Sequence, residues 1–165
     1  MGQNFFSGSY RVRLDDKNRI VLPQQYRYQL VENGELRFTI APGGKGFLAI
    51  YKEAEIAEMV ELFRKKKHIA RFQSFFTLFF STMVHTTCDK LGRVTLPAAL
   101  QKSVGIQKDI MIAGAMDKIQ LWPLEVYEQE CLAQSQDIGA LMEEILMGTE
   151  STNVQQELVL QGVDN

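Results

Sequence analysis

Two arginines at the ends of matching segments are the residues of this chain best suited to bind a ligand. Each ends an Asp-x-x-x-Arg segment, one running from Asp15 to Arg19 and the other from Asp89 to Arg93. A planar guanidinium donates paired hydrogen bonds to a guanine edge or to phosphate oxygens. One such segment alone would be interpreted as a hairpin ion pair that contributes roughly 0–1 kcal/mol. Because the segment occurs twice, we favour a binding site.

Four further basic residues are expected to assist the two arginines, namely Arg11, Arg13, Lys17 and Lys90. Arginine alternates with apolar residues from Tyr10 to Leu14, which predicts a strand with one buried face and one basic face. The densest basic cluster is Arg64-Lys65-Lys66-Lys67-His68 with Arg71. This cluster is a further candidate for contact with nucleic acid. It falls at the expected C-terminus of a helix, however, where solvated bases are favoured by the helix dipole, so we favour an ordinary polar surface.

The distribution of charge along the sequence also favours a polyanionic partner. The 165-residue chain has a net charge of only −2. All 18 Lys and Arg lie between Arg11 and Lys118, however, where 11 acidic residues leave a net charge of +7. Residues 119–165 contain no base and carry −9. The chain is therefore a basic body followed by an acidic segment, an asymmetry that makes a polyanionic partner worth testing.

The histidines and cysteines do not form a catalytic or metal-binding constellation. His68 and His85 are far apart, and Cys88 and Cys131 have no second Cys or His at metal-ligand spacing. Neither cysteine has a predictable base beside it, so a nucleophilic site is not indicated. We therefore predict no metal and no cofactor, and we expect Cys88 to be a small, half-buried strand residue.

The carboxylates Asp15, Asp16 and Asp89 are those from which the paired site of a small hydrolase would be drawn. Asp is also common in turns, because its carboxylate accepts hydrogen bonds from nearby backbone N–H groups. We favour the turn role and predict neither catalytic residues nor a small-molecule substrate.

No segment of the sequence indicates a membrane location. The longest apolar run, Phe75 to Val84, is interrupted by polar residues and is shorter than the ~20 residues of a membrane helix. Residues 1–10 lack the basic and apolar regions of a signal peptide. We expect a cytoplasmic protein with reduced thiols and no membrane partner.

The elements that must position the two arginines are themselves duplicated. With a shift of 74 residues, Asp15–Pro23 falls on Asp89–Pro97, and Asp, Arg, Leu and Pro coincide. Each copy has the pattern strand, tight turn, strand, short helix, strand, turn, strand. Asn18 and Gly92 occupy the same place, and both residue types accept a positive φ, so one turn geometry explains both.

Helices are predicted inside and between the copies. Short helices follow Pro23 and Pro97, over Gln24–Leu30 and Ala98–Val104, and are expected to stop at Asn33-Gly34 and at Gly105. Between the copies we predict a helix over Glu53–Lys67 and a second helix with one aromatic stripe, formed by Phe72, Phe75, Phe76, Phe79 and Phe80. The stripe is expected to be core, or a subunit interface if the fold cannot cover it.

The fold class predicted from these elements is α+β. The four short strands of one copy would leave too many unpaired edges, so we expect the two copies to pair with each other in one pseudo-symmetric β-barrel with peripheral helices. The expected divisions are a first repeat over 9–54, a helical linker over 55–82, a second repeat over 83–126, acidic C-terminal helices over 127–147 and a flexible tail over 148–165.

These motifs resemble a known family. Phe6-Ser7-Gly8, the two Asp-x-x-x-Arg turns with Leu22-Pro23 and Leu96-Pro97 after them, and Leu121-Trp122 are similar to the MraZ family of bacterial transcriptional regulators. Members contain two domains of the kind found in the AbrB and SpoVT regulators. The resemblance implies a swapped-hairpin β-barrel, a ring of many subunits, and binding to direct repeats in the promoter of the division and cell-wall gene cluster, usually as a repressor.

The resemblance also implies which residues contact DNA. The family's DNA-contacting turn falls on Asp15, Lys17 and Arg19, with Asp89 and Arg93 as its second-domain counterpart. Asn18 stands where the first copy usually has Gly.

Our leading hypothesis is a non-enzymatic, sequence-specific regulator that binds double-stranded promoter DNA as a homo-oligomer, in the cytoplasm and associated with the nucleoid. Arg19 and Arg93 would read base edges, while the four accompanying basic residues would contact phosphates. The alternatives are an oligomeric β-barrel interaction scaffold whose basic edges are merely solvated, and a small hydrolase that uses Asp15 or Asp89.

Overall fold

The computed structural model describes residues 4–148, so the predicted tail lies, from residue 149 onward, outside the described residues. The chain divides into two units, Met1–Tyr127 and Glu128–Asn165. The strands, in chain order, are β1 (Ser9–Arg13), β2 (Arg19–Val21), β3 (Val31–Glu32), β4 (Glu35–Leu36), β5 (Phe38–Gly44), β6 (Phe47–Tyr51), β7 (Val84–Thr86), β8 (Arg93–Thr95), β9 (Asp109–Ala115) and β10 (Lys118–Pro123). The α-helices are α1 (Gln24–Gln29), α2 (Glu53–Arg64), α3 (Gln73–Thr82), α4 (Ala98–Val104), α5 (Leu124–Glu130) and α6 (residues 138–148).

The strands form one six-stranded sheet and two short ribbons, all of them antiparallel. The order in the large sheet is β1-β9-β10-β6-β5-β7, and the ribbons are β2-β8 and β3-β4. β1 pairs with β9, β10 with β6, and β2 with β8, so strands of the first copy pair with strands of the second. This exchange satisfies edges that either copy alone would leave unpaired.

The mixed α+β class is therefore confirmed, but the predicted closed barrel is not found among residues 4–148. The large sheet ends in two edge strands, β1 and β7. β2 and β8 pair over only three residues each and form a ladder of their own, so they do not continue the hydrogen bonding from β1 to β7. Closure would need one unbroken ladder around the sheet.

At β5 and β6 both faces of the sheet are covered. Side chains alternate along these strands, so neighbouring residues line opposite faces. Ile40, Leu48 and Ile50 face the larger apolar cluster, which includes the ribbon residues Ile20 and Val94. The other face presents a second cluster, whose buried members are Ala41, Ala49, Tyr51, Ile56 and Phe79. The ribbon is thus anchored in the main core while α2 and α3 cover the opposite face.

One predicted helix stop is wrong. α1 ends at Gln29 with Leu30 as its C-cap, before Asn33-Gly34 is reached. Asn33 and Gly34 have φ of 53° and 79° and connect β3 to β4, with Glu32 opposite Glu35. Two consecutive residues at positive φ favour a two-residue hairpin, and this preference decides the local structure. Gly105, at φ 77°, is the C-cap of α4 as predicted.

The aromatic stripe is only partly core. Phe72 lies in a short 3-10 helix, Ala70–Phe72, that precedes α3, and α2 ends at Arg64 rather than Lys67. Phe79 is buried at 3%, whereas Phe75 and Phe80 are 46% and 41% exposed. The fold therefore leaves part of this aromatic surface uncovered.

The second unit is helical in the part that is described. It contains the end of α5, a 3-10 helix over Leu132–Asp137, and α6. Within residues 4–148, the helices are too short or too polar to cross a membrane.

Candidate nucleic-acid interface

The first turn, residues 15–19, is organised by the Asp15 carboxylate. Its Oδ1 accepts hydrogen bonds from the backbone amides of Lys17 at 2.9 Å and Arg19 at 2.8 Å. Its Oδ2 accepts a hydrogen bond from the Arg19 Nε at 2.8 Å. The Asn18 amide donates to the Asp15 carbonyl at 3.1 Å, and Asn18 has a φ of 59°. The carboxylate therefore fixes both the turn backbone and the arginine that leaves it.

The second turn, residues 89–93, repeats this geometry. Asp89 Oδ1 accepts from the amides of Leu91 at 3.0 Å and Arg93 at 2.8 Å, and Oδ2 accepts from the Arg93 Nε at 2.7 Å. Gly92 has a φ of 80°, which matches Asn18. The prediction of one backbone geometry for both turns is confirmed. Both aspartates occupy the turn role that the sequence favoured.

The hydrogen bonds also hold both carboxylates in the charged form. Desolvation opposes ionisation of Asp15, but the bonds from the Arg19 amide, the Arg19 side chain and the Lys17 amide outweigh it and lower its pKa. For Asp89 the bond from the Arg93 amide is the largest influence, followed by opposing desolvation and the Arg93 side chain, and its pKa is also lowered. The carboxylates are therefore ionised near neutral pH and hold the guanidinium groups.

Each arginine donates its side-chain hydrogen bond to the aspartate from Nε. The side chains of Arg19 and Arg93 are 23% and 33% exposed. Their Nη groups make no hydrogen bond within the part of the chain that the structure describes. A guanidinium held at Nε with both Nη groups available is oriented for a paired contact with two acceptors.

Pairing of β2 with β8 brings the two arginines to one surface. Ile20 lies opposite Val94, and both are 1% exposed, so they form the inner face of the ribbon. Arg19 lies opposite Thr95 and Arg93 opposite Val21. Because side chains alternate along a strand, both arginines are on the outer face. They are diagonal neighbours on that face, with Cα atoms about 7–8 Å apart.

The accompanying basic residues divide into two groups. Lys17 and Lys90 are exposed within the turns, beside the arginines. Arg11 and Arg13 are exposed on β1, an edge strand of the six-stranded sheet, where they alternate with the half-buried Val12 as predicted. Of these four accompanying basic residues, only Lys17 and Lys90 therefore lie beside the β2-β8 ribbon.

The cluster after α2 has the solvated character expected for the end of a helix. Arg64 pairs with Glu61 at 3.2 Å, and both side chains are more than 60% exposed. Residues 65–68 are exposed. An ion pair as exposed as this one is worth little, about 0–1 kcal/mol.

Cys88 is half-buried as predicted, but it follows β7 rather than lying in a strand. Desolvation by burial raises its pKa to about 11, so the thiol is protonated and unreactive. Within residues 4–148, no three His, Cys, Asp or Glu side chains are grouped in a way that could hold a metal ion.

One residue beside the second turn is not indicated by any sequence motif. The Arg27 guanidinium, from α1, lies against Gly92 in the second turn, where a Cβ would be 2.5 Å from Nη1 and 2.6 Å from Cζ. Its Nε is buried and has no hydrogen-bond partner within the described residues. The available signal was the alignment of the two copies, in which Arg27 falls on the neutral Gln101.

The sequence is similar to known proteins over most of its length. The family model for the MraZ protein, described as antitoxin-like, matches residues 5–74 and 79–139. A protein of Frankia casuarinae named Transcriptional regulator MraZ is 31% identical over 144 residues, which cover 87% of this chain and 98% of that protein. Proteins of the same name from Moorella thermoacetica and Geobacter sulfurreducens are 28% and 36% identical, over 86% and 71% of this chain and 96% and 82% of their own lengths. The chain therefore belongs to the MraZ family of transcriptional regulators.

Proposed function

We propose that this protein is a non-enzymatic regulator that binds double-stranded promoter DNA in a sequence-specific manner. The observation that carries the proposal is the outer face of the β2-β8 ribbon, where Arg19 and Arg93 lie side by side with their Nη groups available. A two-stranded ribbon fits the major groove, and bidentate contact of Arg with the O6 and N7 atoms of guanine is the commonest specific contact there.

The other charged residues of the surface have supporting roles in this proposal. Lys17 and Lys90 contact phosphates on either side of the arginines, and Arg11 and Arg13 add phosphate contacts from the edge strand. Asp15 and Asp89 belong to the DNA-contacting turns, beside the arginines. They hold the guanidinium groups in place, and this lowers the entropy lost when the arginines bind.

We further propose that the protein acts as a homo-oligomer, with a ring as the closed form. Four large apolar side chains on α2 and α3 are exposed by 41–61%, namely Leu62, Phe75, Leu78 and Phe80. Large apolar side chains exposed on two neighbouring helices are typical of protein interfaces. One subunit neutralises few phosphates and binds weakly, whereas linked subunits multiply affinity through effective concentration.

An oligomer joined head to tail presents its ribbons in one repeated orientation, and this arrangement suits direct repeats better than palindromes. The proposed targets are direct repeats in the promoter of the division and cell-wall gene cluster, where occupancy by the oligomer represses initiation. The protein would then reside in the cytoplasm, associated with the nucleoid. The curated name of its relatives, transcriptional regulator, supports the general role.

The test compares three duplexes that carry sequence from upstream of this gene: direct repeats, the same repeats with alternate copies inverted, and a shuffled sequence. We expect the full chain to bind the direct repeats most tightly in a mobility-shift assay, and to sediment as an oligomer. Inverted copies should bind less tightly, because fewer subunits reach a repeat in the correct orientation. Equal affinity for all three duplexes would contradict the proposal, and an oligomer indifferent to DNA and salt would favour the interaction scaffold.

A further inference from the structure

The two turns share one backbone geometry but not the same support. Gly92 is buried, and the Arg27 guanidinium fills the space that a side chain at position 92 would need. Asn18, at the equivalent place in the first turn, is exposed. Glycine at position 92 therefore leaves room for the Arg27 guanidinium, whereas the first turn accepts a side chain.

The residue equivalent to Arg27 is neutral. Gln101, 74 residues later on α4, is 9% exposed, and its Nε2 donates to the Leu96 carbonyl at 2.6 Å. The Leu96 backbone amide donates to the Asn18 carbonyl at 2.8 Å. The Gln101 side chain is therefore linked to the first turn through Leu96. The group linked to the first turn is thus neutral, whereas the group that lies against the second turn is a cation.

The difference in charge between the turns is large for so small a surface. Residues 15–19 have no net charge, and residues 89–93 have a net charge of +1. Arg27 raises the total at the second turn to +2. Arg27 forms no ion pair with any acid in the described residues, and its buried Nε lacks a hydrogen-bond partner. A half-buried cation without a counter-ion is unfavourable, so an anion bound at this turn would be stabilised.

We propose that Arg27 makes the second turn the phosphate anchor of the pair, and that the two turns therefore contribute unequally to DNA binding. The inference rests on the proposed function and deepens it by adding a phosphate contact at the second turn, beside the base contact of Arg93. Arg27 is a positioning residue, because it holds the turn from beneath and supplies charge while Arg93 and Lys90 face the ligand. A charge contribution predicts a change in salt dependence, whereas a structural role alone does not.

The test measures affinity for the direct-repeat duplex and for the shuffled duplex across a series of salt concentrations. Arg27→Gln introduces the residue type of Gln101, the equivalent position in the second copy. It should weaken binding to both duplexes equally and reduce the slope of log K against log salt by up to about 0.9 per subunit in contact with DNA. Arg27→Lys should keep the slope. Arg37→Gln removes an exposed arginine that is paired with Glu35 and lies outside the β2-β8 ribbon. It should leave the slope unchanged.

A second variant keeps the inference testable if Arg27→Gln fails to fold. Asn18→Gly/Gln101→Arg places a guanidinium beneath the first turn, and relative to Asn18→Gly alone it should steepen the slope by a similar amount. Weaker binding by Arg27→Gln with an unchanged slope would overturn the inference, as would an unchanged slope in the second variant. If wild-type protein fails to prefer the direct repeats, the proposed function itself is wrong. That result is distinct from failure of the Arg27 variants alone.

Discussion

Replacing both turn arginines, Arg19→Ala/Arg93→Ala, is expected to lower affinity for the direct-repeat duplex by at least about 30-fold at physiological salt, since each bidentate guanine contact is worth about 1–3 kcal/mol. The substitution also removes the cations that neutralise Asp15 and Asp89, which then repel the phosphates of DNA. Fluorescence anisotropy with a labelled duplex measures the loss. Thermal unfolding of the same variant shows whether the fold is retained.

The control for this experiment removes the same charge elsewhere. Arg37 and Arg64 form exposed ion pairs with Glu35 and Glu61, and their side chains are 71% and 66% exposed. Arg37→Ala/Arg64→Ala therefore matches the change in net charge without touching the ribbon. It should reduce affinity only slightly, through weaker long-range attraction. Equal losses in the two double variants would mean that charge alone, and not the ribbon, drives binding.

The second large effect is expected at Gly114, where β9 passes close to the N-terminal segment. A Cβ at position 114 would lie 2.7 Å from the Phe6 carbonyl carbon and from the Ser7 Cα, and closer still to the Ser7 amide nitrogen. These are backbone atoms, so they cannot rotate away as a side-chain end can. Gly114→Ala is therefore expected to lower the free energy of unfolding by about 1–3 kcal/mol or more, as overpacking does.

The N-terminal segment cannot move without breaking several bonds. The Gly114 amide donates to the Gly8 carbonyl at 2.8 Å, and the Phe6 amide donates to the Met116 carbonyl at 2.8 Å. The buried Tyr26 hydroxyl donates to the Gly8 carbonyl at 2.7 Å. Urea unfolding followed by circular dichroism measures the change. Gly139→Ala, where nothing lies within 4 Å of the added Cβ, is the control and should change stability by less than about 1 kcal/mol. Wild-type stability in Gly114→Ala would contradict this account of the close approach.

Local features of the fold could be predicted because they depend on neighbouring residues. The positive φ of Asn18 and Gly92 follows from the turn sequence, and α4 follows from Pro97 and Gly105 at its ends. The outward arginines on β1 follow from the alternation of residue types. In these places the turn and helix propensities of the residues, the alternation of residue types and the helix caps all predict the same local structure.

Long-range features could not be predicted from the sequence alone. Whether the strands close into a barrel depends on pairings between distant segments, and β2 pairs with β8 in a ribbon of its own. The contact of Arg27 with Gly92 likewise joins residues from the two copies, which no local pattern reports. Asn33-Gly34 was misinterpreted because the same two residue types end helices and form hairpins, and only the pairing of β3 with β4 distinguishes the two cases.

The claim that Arg19 and Arg93 read base edges is tested most directly by Arg19→Lys/Arg93→Lys, which keeps both charges and removes both guanidinium forks. The measurement is the ratio of affinities for the direct-repeat and shuffled duplexes, compared with that of wild-type protein at one salt concentration. We predict that the ratio falls by at least about 10-fold while affinity for the shuffled duplex stays the same, because phosphate contacts tolerate lysine and bidentate base contacts do not. An unchanged ratio would show that the two arginines contribute charge only, and would contradict the proposed readout of sequence by the ribbon.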